Sequence, residues 1–598
     1  MHVEHKGGAR SRVTAVSAAL VVALLAGCSW GTAAQEPPGT SGPTATPSPT
    51  AVSATPSSGS PASVVTGDDA QAASATSAAL LEAAPVVVVA PAGDVGAVLT
   101  AASAAVATGA PVLLAAEGLD LAPELARLGA RHVLVVGDVA PGDLPDDVGT
   151  VALPAGADAD ALAAATGHRF GDLVPVPPGG ESAAVRALAG PRPAVLVTAD
   201  AAASDAAAAD AAADDTAADT PTTSPVPDAA TPTGASTGAD AGPGSLPPTE
   251  PVVAEGVLAL ADGVVPPAAA ATVRALGVEV LDVPGGDPRA SSATVQGIAA
   301  AAPSAVVGFG ETFGSPEQLA ARTATARTGA ELPGGGQLVF PTVAGQPGKR
   351  YVALYGTPGS GALGVLGEQD VPATLARAEQ HAAPYRGLTG DTVVPAVEII
   401  ASIASAGAEA DGTYSRKRSV QDLRPLVDAA GAAGQYVVLD LQPGRQDFVT
   451  QSQAYEELLA LPHVGLALDP EWRLAPDQVH LRQIGSVGID EVNATAAWLA
   501  QLTRERDLPQ KMFVLHQFSL RMISERERLD TSHDELAPLI HVDGQGSQPA
   551  KAGTWAALRN GAPPVHWGWK NFYDEDVPML DPVQTYQVQP VPDLVTYQ

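Results

Sequence analysis

Two short stretches decide the fold of this chain: Val437-Val438-Leu439-Asp440-Leu441-Gln442 and Gly465-Leu466-Ala467-Leu468-Asp469-Pro470-Glu471. Each is an apolar run too short for a helix and closed by polar residues, the pattern of a strand covered on both faces in a parallel sheet. Side chains on a strand alternate between faces. Val437, Leu439 and Leu441 therefore oppose Asp440 and Gln442, and Leu466 and Leu468 oppose Asp469 and Glu471. One face suits packing under helices, and the other carries acids to the C-terminal end of the strand.

Runs of the same kind continue in both directions. They are Tyr351–Tyr355, Val393–Ile400, Tyr436–Leu441, Val464–Leu468, Met512–Phe518, Leu539–Asp543 and Val565–Trp569, with Leu594–Tyr597 as an eighth. Helical patterns fit between most of them, at Val371–His381, Leu423–Ala433, Ala454–Leu461, Ile489–Arg506 and Lys551–Leu558. Eight β/α units in about 250 residues predict a (β/α)8, TIM-like barrel over 350–598. The same parity turns Glu398 inward on the second strand, His516 on the fifth, and His541 and Asp543 on the sixth.

Five carboxylates and two histidines are thus expected at one barrel mouth, where active sites of this fold are built. Mutual repulsion has to be resolved by protons, cations or hydrogen bonds. Two chemistries use such a mouth. Glycoside hydrolysis needs one protonated and one ionised carboxyl beside the scissile bond. Glu471 is the candidate acid, with Asp469 raising its pKa by like charge, and Asp440 or Asp543 is the second carboxylate. Glu398, Gln442, His516 and His541 are candidate substrate contacts. Trp472, Trp567 and Trp569 offer flat faces for sugar rings or, equally, barrel packing. Lys570 and Asn571, in the segment Trp567–Asp574, are placed to orient substrate or to cap the barrel as a surface loop. The second chemistry is metal-assisted, with a divalent cation on the carboxylates, His516 and His541. No His-x-His or H-E-x-x-H spacing is present, so no metal or other cofactor is expected and the cation is the second reading.

Upstream, a parallel α/β pattern runs over 84–320. Strands fit Val86–Val89, Val112–Leu114, Val133–Val136, Ala194–Thr198, Val257–Ala261, Val278–Val283 and Ala305–Phe309. Helices fit Val95–Thr108, Leu121–Leu128, Pro267–Leu276 and Ala293–Ala301. Leu125–Ala130 before Val133 aligns with Val273–Gly277 before Val280, which predicts two related units. An acidic, low-complexity insert at 201–248 separates them. The loop Pro91–Gly96 lacks a G-x-G-x-x-G phosphate fingerprint.

The N-terminus is an address. Lys6, Arg10 and Arg12 precede an apolar run, Val13–Ala26, too short to span a bilayer and suited to a secretory signal. A Pro/Ser/Thr/Gly/Ala tract follows, and 28–83 is expected to be a disordered tether. Of the 598 residues, 65 are acidic and 32 basic, a net charge of −33 that argues against a nucleic-acid partner. The one cysteine, Cys28, excludes a disulfide framework.

Four resemblances add to this reading. Leu25-Ala26-Gly27-Cys28 resembles the lipobox of bacterial lipoproteins, which implies cleavage after residue 27 and a membrane-lipid anchor on acylated Cys28, at the outer face of the cytoplasmic membrane. Leu125–Asp138 resembles the type-two cell-wall-binding repeat of Gram-positive surface proteins, which implies tandem α/β repeats that hold cell-wall polymers. Asp469-Pro470-Glu471 resembles the fourth-strand D-x-E ending of several barrel glycoside hydrolases. Through Tyr436–Arg445, Ala467–Arg473 and Trp567–Asp574, 350–598 resembles an uncharacterised barrel domain of actinobacterial lipoproteins, which implies fold and address but no activity. The expectation is an extracytoplasmic lipoprotein that hydrolyses a polysaccharide or wall glycan; the alternative is a non-catalytic glycan-binding surface lipoprotein.

Overall fold

A computed structural model describes residues 51–140, 144–203 and 244–598. The expected signal segment 1–27, Cys28, the first part of the expected tether and most of the expected insert lie outside the described residues. The rest is α/β, with parallel sheets in the middle region and a closed eight-stranded parallel barrel at the C-terminal end. No described helix is long and apolar enough to cross a membrane.

The expected tether ends early. Within it, Ala62–Val65 forms a strand, β1, and Asp69–Leu80 a helix, α1. Asp68 starts that helix by accepting from the Ala70 and Gln71 amides, and the Gln71 side chain closes a capping box. Small residues obscured the element in sequence, because α1 buries Ala70, Ala72, Ala73, Thr76 and Ser77, with Leu80 its one large apolar group.

The first unit follows as β2 (Val86–Pro91), α2 (Val95–Thr108), β3 (Val112–Ala115), α3 (Ala122–Leu128), β4 (His132–Val136) and β5 (Gly149–Leu153). Its sheet has the order β3-β2-β4-β5, all parallel. Helix α2 is capped by Asp94, which accepts from the Ala97 amide at 2.9 Å, and ends at Gly109, whose φ of 70° favours glycine. It is buried continuously from Ala97 to Thr108, which is why its sequence is apolar all round rather than striped. Next come α4 (Ala159–Thr166) and a parallel pair, β6 (Leu173–Val176) and β7 (Val195–Thr198), joined through α5 (Glu181–Arg186).

The second unit contains β8 (Val257–Ala261), α6 (Pro267–Ala275), β9 (Glu279–Asp282), α7 (Ser292–Ala301), β10 (Ala305–Phe309) and α8 (Pro316–Arg327). Its sheet order is β9-β8-β10-β1. The two sheets share one topology, and β1 occupies the place that β5 holds in the first. The sequence alignment of the units is displaced by one step, since topology pairs α2–β3, not α3–β4, with α6–β9. Gly109, Gly129 and Gly277 all close helices with positive φ, so the glycine stop signal recurs at several helices and does not identify which repeat position it marks.

All eight expected barrel strands are present: β11 (Lys349–Gly356), β12 (Thr392–Ala404), β13 (Tyr436–Leu441), β14 (Val464–Leu468), β15 (Lys511–Gln517), β16 (Leu536–Val542), β17 (His566–Asn571) and β18 (Leu594–Tyr597). They pair in sequence order, and β18 closes on β11. The helices outside are α9 (Val371–Ala382), α10 (Val420–Ala432), α11 (Phe448–Ala454), α12 (Ile489–Glu505) and α13 (Gln548–Arg559). The helix expected at Ala454–Leu461 is instead α11 and a separate turn at Glu456–Leu459.

Alternation builds two cores. Val437, Leu439, Leu441, Leu466 and Leu468 pack outward under the helices. Tyr351, Ala353, Val394, Val438, Ala467 and Val514 fill the barrel, whose N-terminal end is plugged by Leu332, Val339 and Phe340 from the segment that joins the second unit to β11. Asp534, before β16, receives Arg289 and Arg322 of the second unit at 2.8 Å each and ties it to the barrel.

Candidate active site

The C-terminal ends of the barrel strands open on a cavity of about 460 Å³. It is lined by Asp469, Glu471, Asp543 and Glu575, by Lys570 and Gln442, and by the rings of Tyr355, Trp472, Phe518 and Phe572. Glu398, Asp440, His516 and His541 lie beneath, each fully buried. Parity had turned all seven inward-pointing acids and histidines to this end, and each does face the barrel interior.

The floor is held by one histidine. His516 places Nε2 at 2.8 Å from Glu398 Oε1 and Nδ1 at 3.1 Å from Asp543 Oδ2. Burial alone would strip its proton, but the Glu398 charge and the two hydrogen bonds reverse that and hold its pKa well above the usual histidine range. Protonated His516 donates from both nitrogens. His541 Nδ1, 3.3 Å from His516 Nδ1, can then only accept, which puts the His541 proton on Nε2, 3.2 Å from Thr596 Oγ1. Burial and the neighbouring His516 charge keep His541 neutral, its pKa well below the ordinary value.

The carboxyls separate into distinct states. Glu471 is pushed up to about 7 by burial and then by the Asp543 charge, against Lys570 and His516. Asp469 is raised well above the carboxylate range by burial and by Glu471. Asp440 rises to about 6, because burial outweighs His516; its Oδ2 accepts from Tyr355 OH at 2.8 Å. Asp543 alone is lowered, the hydrogen bond and charge of His516 overcoming its burial. After burial, the largest influence on Glu471 is therefore Asp543 rather than Asp469, as the sequence suggested.

Several polar atoms at the site have no hydrogen-bond partner among the described residues: Glu398 Oε2, Asp440 Oδ1, Asp469 Oδ1, Asp543 Oδ1 and Trp472 Nε1. The Lys570 ammonium stands 3.4 Å from the Tyr355 ring centroid. Lys551 supports the rim from behind. Its Nζ lies 2.8 Å from Asp576 and donates to the carbonyls of Gly544 and Lys570, which joins the loops that carry Asp543 and Lys570.

Three expected site residues lie elsewhere. Trp567 and Trp569 belong to the outer core and pack edge-on against Trp555 of α13. Asn571 shares their face, accepts from Trp569 Nε1 at 2.9 Å and is fully buried. On β17 the inward positions are Gly568 and Lys570, and a Cβ at 568 would collide with the His541 ring. Tyr355, Phe518, Phe572, Glu575 and Thr596 were not anticipated. Tyr355 and Thr596 follow from the parity of β11 and β18, where an apolar run concealed them.

The floor also has the spacing of a cation site. Glu398, His516 and His541 each offer a ligand atom within 4.8 Å of one another. A cation bound there would take the place of the His516 protons, because a ligand nitrogen has to be proton-free. What the cavity does supply is a carboxyl that keeps its proton near neutrality, Glu471, and one held ionised, Asp543. That is the division of states that acid–base cleavage requires.

No protein-family model matches the sequence, and no curated protein does. A solved structure named Cwp6 from Clostridium difficile is similar at 12% identity over 64% of this chain, with a TM-score of 0.29. The match covers 63% of that neighbour's chain, just under two thirds of its length.

Proposed function

We propose that this protein is a cell-envelope lipoprotein, anchored through acylated Cys28, whose barrel hydrolyses a polysaccharide or wall glycan. The observation that carries the reading is the pairing of protonated Glu471 with ionised Asp543 on one cavity at the barrel mouth. In the proposed step Glu471 gives its proton to the glycosidic oxygen as the C–O bond breaks and its electron pair moves to that oxygen. Asp543 meets the positive charge developing at the anomeric carbon, directly or through a water it deprotonates. His516 keeps Asp543 ionised, and Trp472, Phe518 and Phe572 provide faces for sugar rings. The basic start, apolar run and Cys28 support export and anchoring.

The test incubates the full chain with Gram-positive wall glycans and a panel of polysaccharides, with new reducing ends as the readout. Wild type should release them, and Glu471→Gln should lose about a hundredfold or more in rate. Glycan retained on a column with no release from any substrate would leave the protein a non-catalytic binder.

A further inference from the structure

The acids around the cavity are far in excess of the cations. Asp469, Glu471, Asp543 and Glu575 line it, with Lys570 as the one basic residue of the lining. Lys570 does not neutralise them through a close ion pair among the described residues, and its ammonium lies over the Tyr355 ring. Asp469 is only 3% exposed, faces this space, and leaves Oδ1 without a partner. Asp543 Oδ1 is likewise buried and unpaired. Buried acceptors of this kind are costly unless a ligand brings donors to them.

We infer that the glycan taken by this cavity carries free amino groups, and that Asp469 receives the ammonium of a de-N-acetylated sugar. The inference rests on the hydrolase reading for the substrate being a glycan. Hydroxyls could satisfy the orphaned oxygens, but they bring no charge that would let the crowded carboxyls give up the protons they hold. A uronic acid or a phosphate-bearing polymer would bring further negative charge to a cavity where Asp543 is ionised and Asp469 and Glu471 already hold protons, whereas an amine brings the cation that lets Asp469 ionise. An N-acetyl group replaces the charge with an amide and a methyl, which gives Asp469 no cation. The ammonium supplies three donors and one positive charge in the place where both are missing. Asp469, held protonated by burial and by Glu471, then ionises on binding, so the complex releases a proton and tightens as pH rises towards its raised pKa.

Calorimetric titration of the full chain with glucosamine oligosaccharides, beside their fully N-acetylated counterparts of equal length, tests this. At pH 7 the free-amine series should bind about tenfold tighter or more. Asp469→Asn should bring the ratio of affinities close to one, and Glu575→Gln, an exposed rim variant, should reduce it in the same direction if the first variant does not fold. Equal or tighter binding of the acetylated series overturns the inference. So does calcium or manganese alone binding in a manner lost with Asp469→Asn while the amine series does not bind, which would assign the acids to a metal. Cleavage of acetylated or neutral glycans without amine preference would refute the inference and keep the hydrolase. Tight binding of the amine series with no new reducing ends would keep the inference and refute the hydrolase.

Discussion

Glu471 carries its proton into the folded state at a pH where an exposed glutamate has lost it. Its pKa rises from an ordinary 4.5 to about 7. A carboxyl raised on folding contributes stability that is fully present below its unfolded pKa and is lost as pH climbs to the folded value. Glu471 therefore burdens the fold above neutral pH, and Asp440, raised from 3.8 to about 6, does so from lower pH. Glu471→Gln is expected to stabilise the barrel by about 2 kcal/mol at pH 8 and to have little effect near pH 4, as read from thermal melts at the two values. Equal melting shifts at both would contradict the assigned proton. Activity follows the same groups in the same sense. The rate should fall as pH rises through about 7, where Glu471 deprotonates, and on the acid side only below the ordinary aspartate range, since Asp543 is lowered. A profile that keeps rising beyond pH 8 would remove Glu471 as the acid. Most of this pairing was legible, because Asp440, Asp469, Glu471 and Asp543 each break an apolar alternation at a strand's end. The charge state of each was not, since it depends on His516, Glu398 and Asp543, brought together from strands far apart in sequence.

Among the elements, β17 shows where alternation was available and was not followed. His566-Trp567-Gly568-Trp569-Lys570-Asn571 places both tryptophans and Asn571 on one face, and that face packs on α13. Large aromatics suggest sugar stacking, but two of them two residues apart on a barrel strand satisfy the outer core first. Gly568 marks the inner face, where only a missing side chain leaves room for His541. Gly568→Ala should push that ring off Thr596 and disturb His516, with a loss of about 1–3 kcal/mol from overpacking. Because His516 sets the charge of Asp543, the acid limb of the rate profile should shift upward as well. Destabilisation without that shift would mean the histidines are packing groups alone. The strand β1 and helix α1 escaped sequence reading for a different reason. Ala62–Val65 has four residues, and α1 buries alanine, serine and threonine with a single leucine, Leu80, so neither carries a strong periodic signal. Their place comes from β10, whose open edge β1 covers over Val306–Phe309.

Across the molecule, the barrel was legible because eight amphipathic strands repeat one rule, whereas the joint between the barrel and the second α/β unit depends on single residues. Arg289 is 4% exposed and lies between Asp287 and Asp534, both at 2.8 Å. Arg322 adds a second contact to Asp534. Arg322 and Arg289 lower the Asp534 pKa against its burial, so its contribution is present above the ordinary aspartate value and is lost as pH falls through the lowered one. The joint should accordingly be indifferent to pH between 5 and 8, unlike the barrel mouth. Asp534→Asn removes one of two acids facing a buried guanidinium, which costs about 2–4 kcal/mol when a buried pair is broken. That cost falls on the contact between the units rather than within either core, because Arg289 and Arg322 come from one side and Asp534 from the other. Calorimetry should therefore show one transition for the wild type and two for the variant, with the barrel's own changing little. A variant that melts in one transition at lower temperature would place the aspartate inside a shared core instead of at a joint.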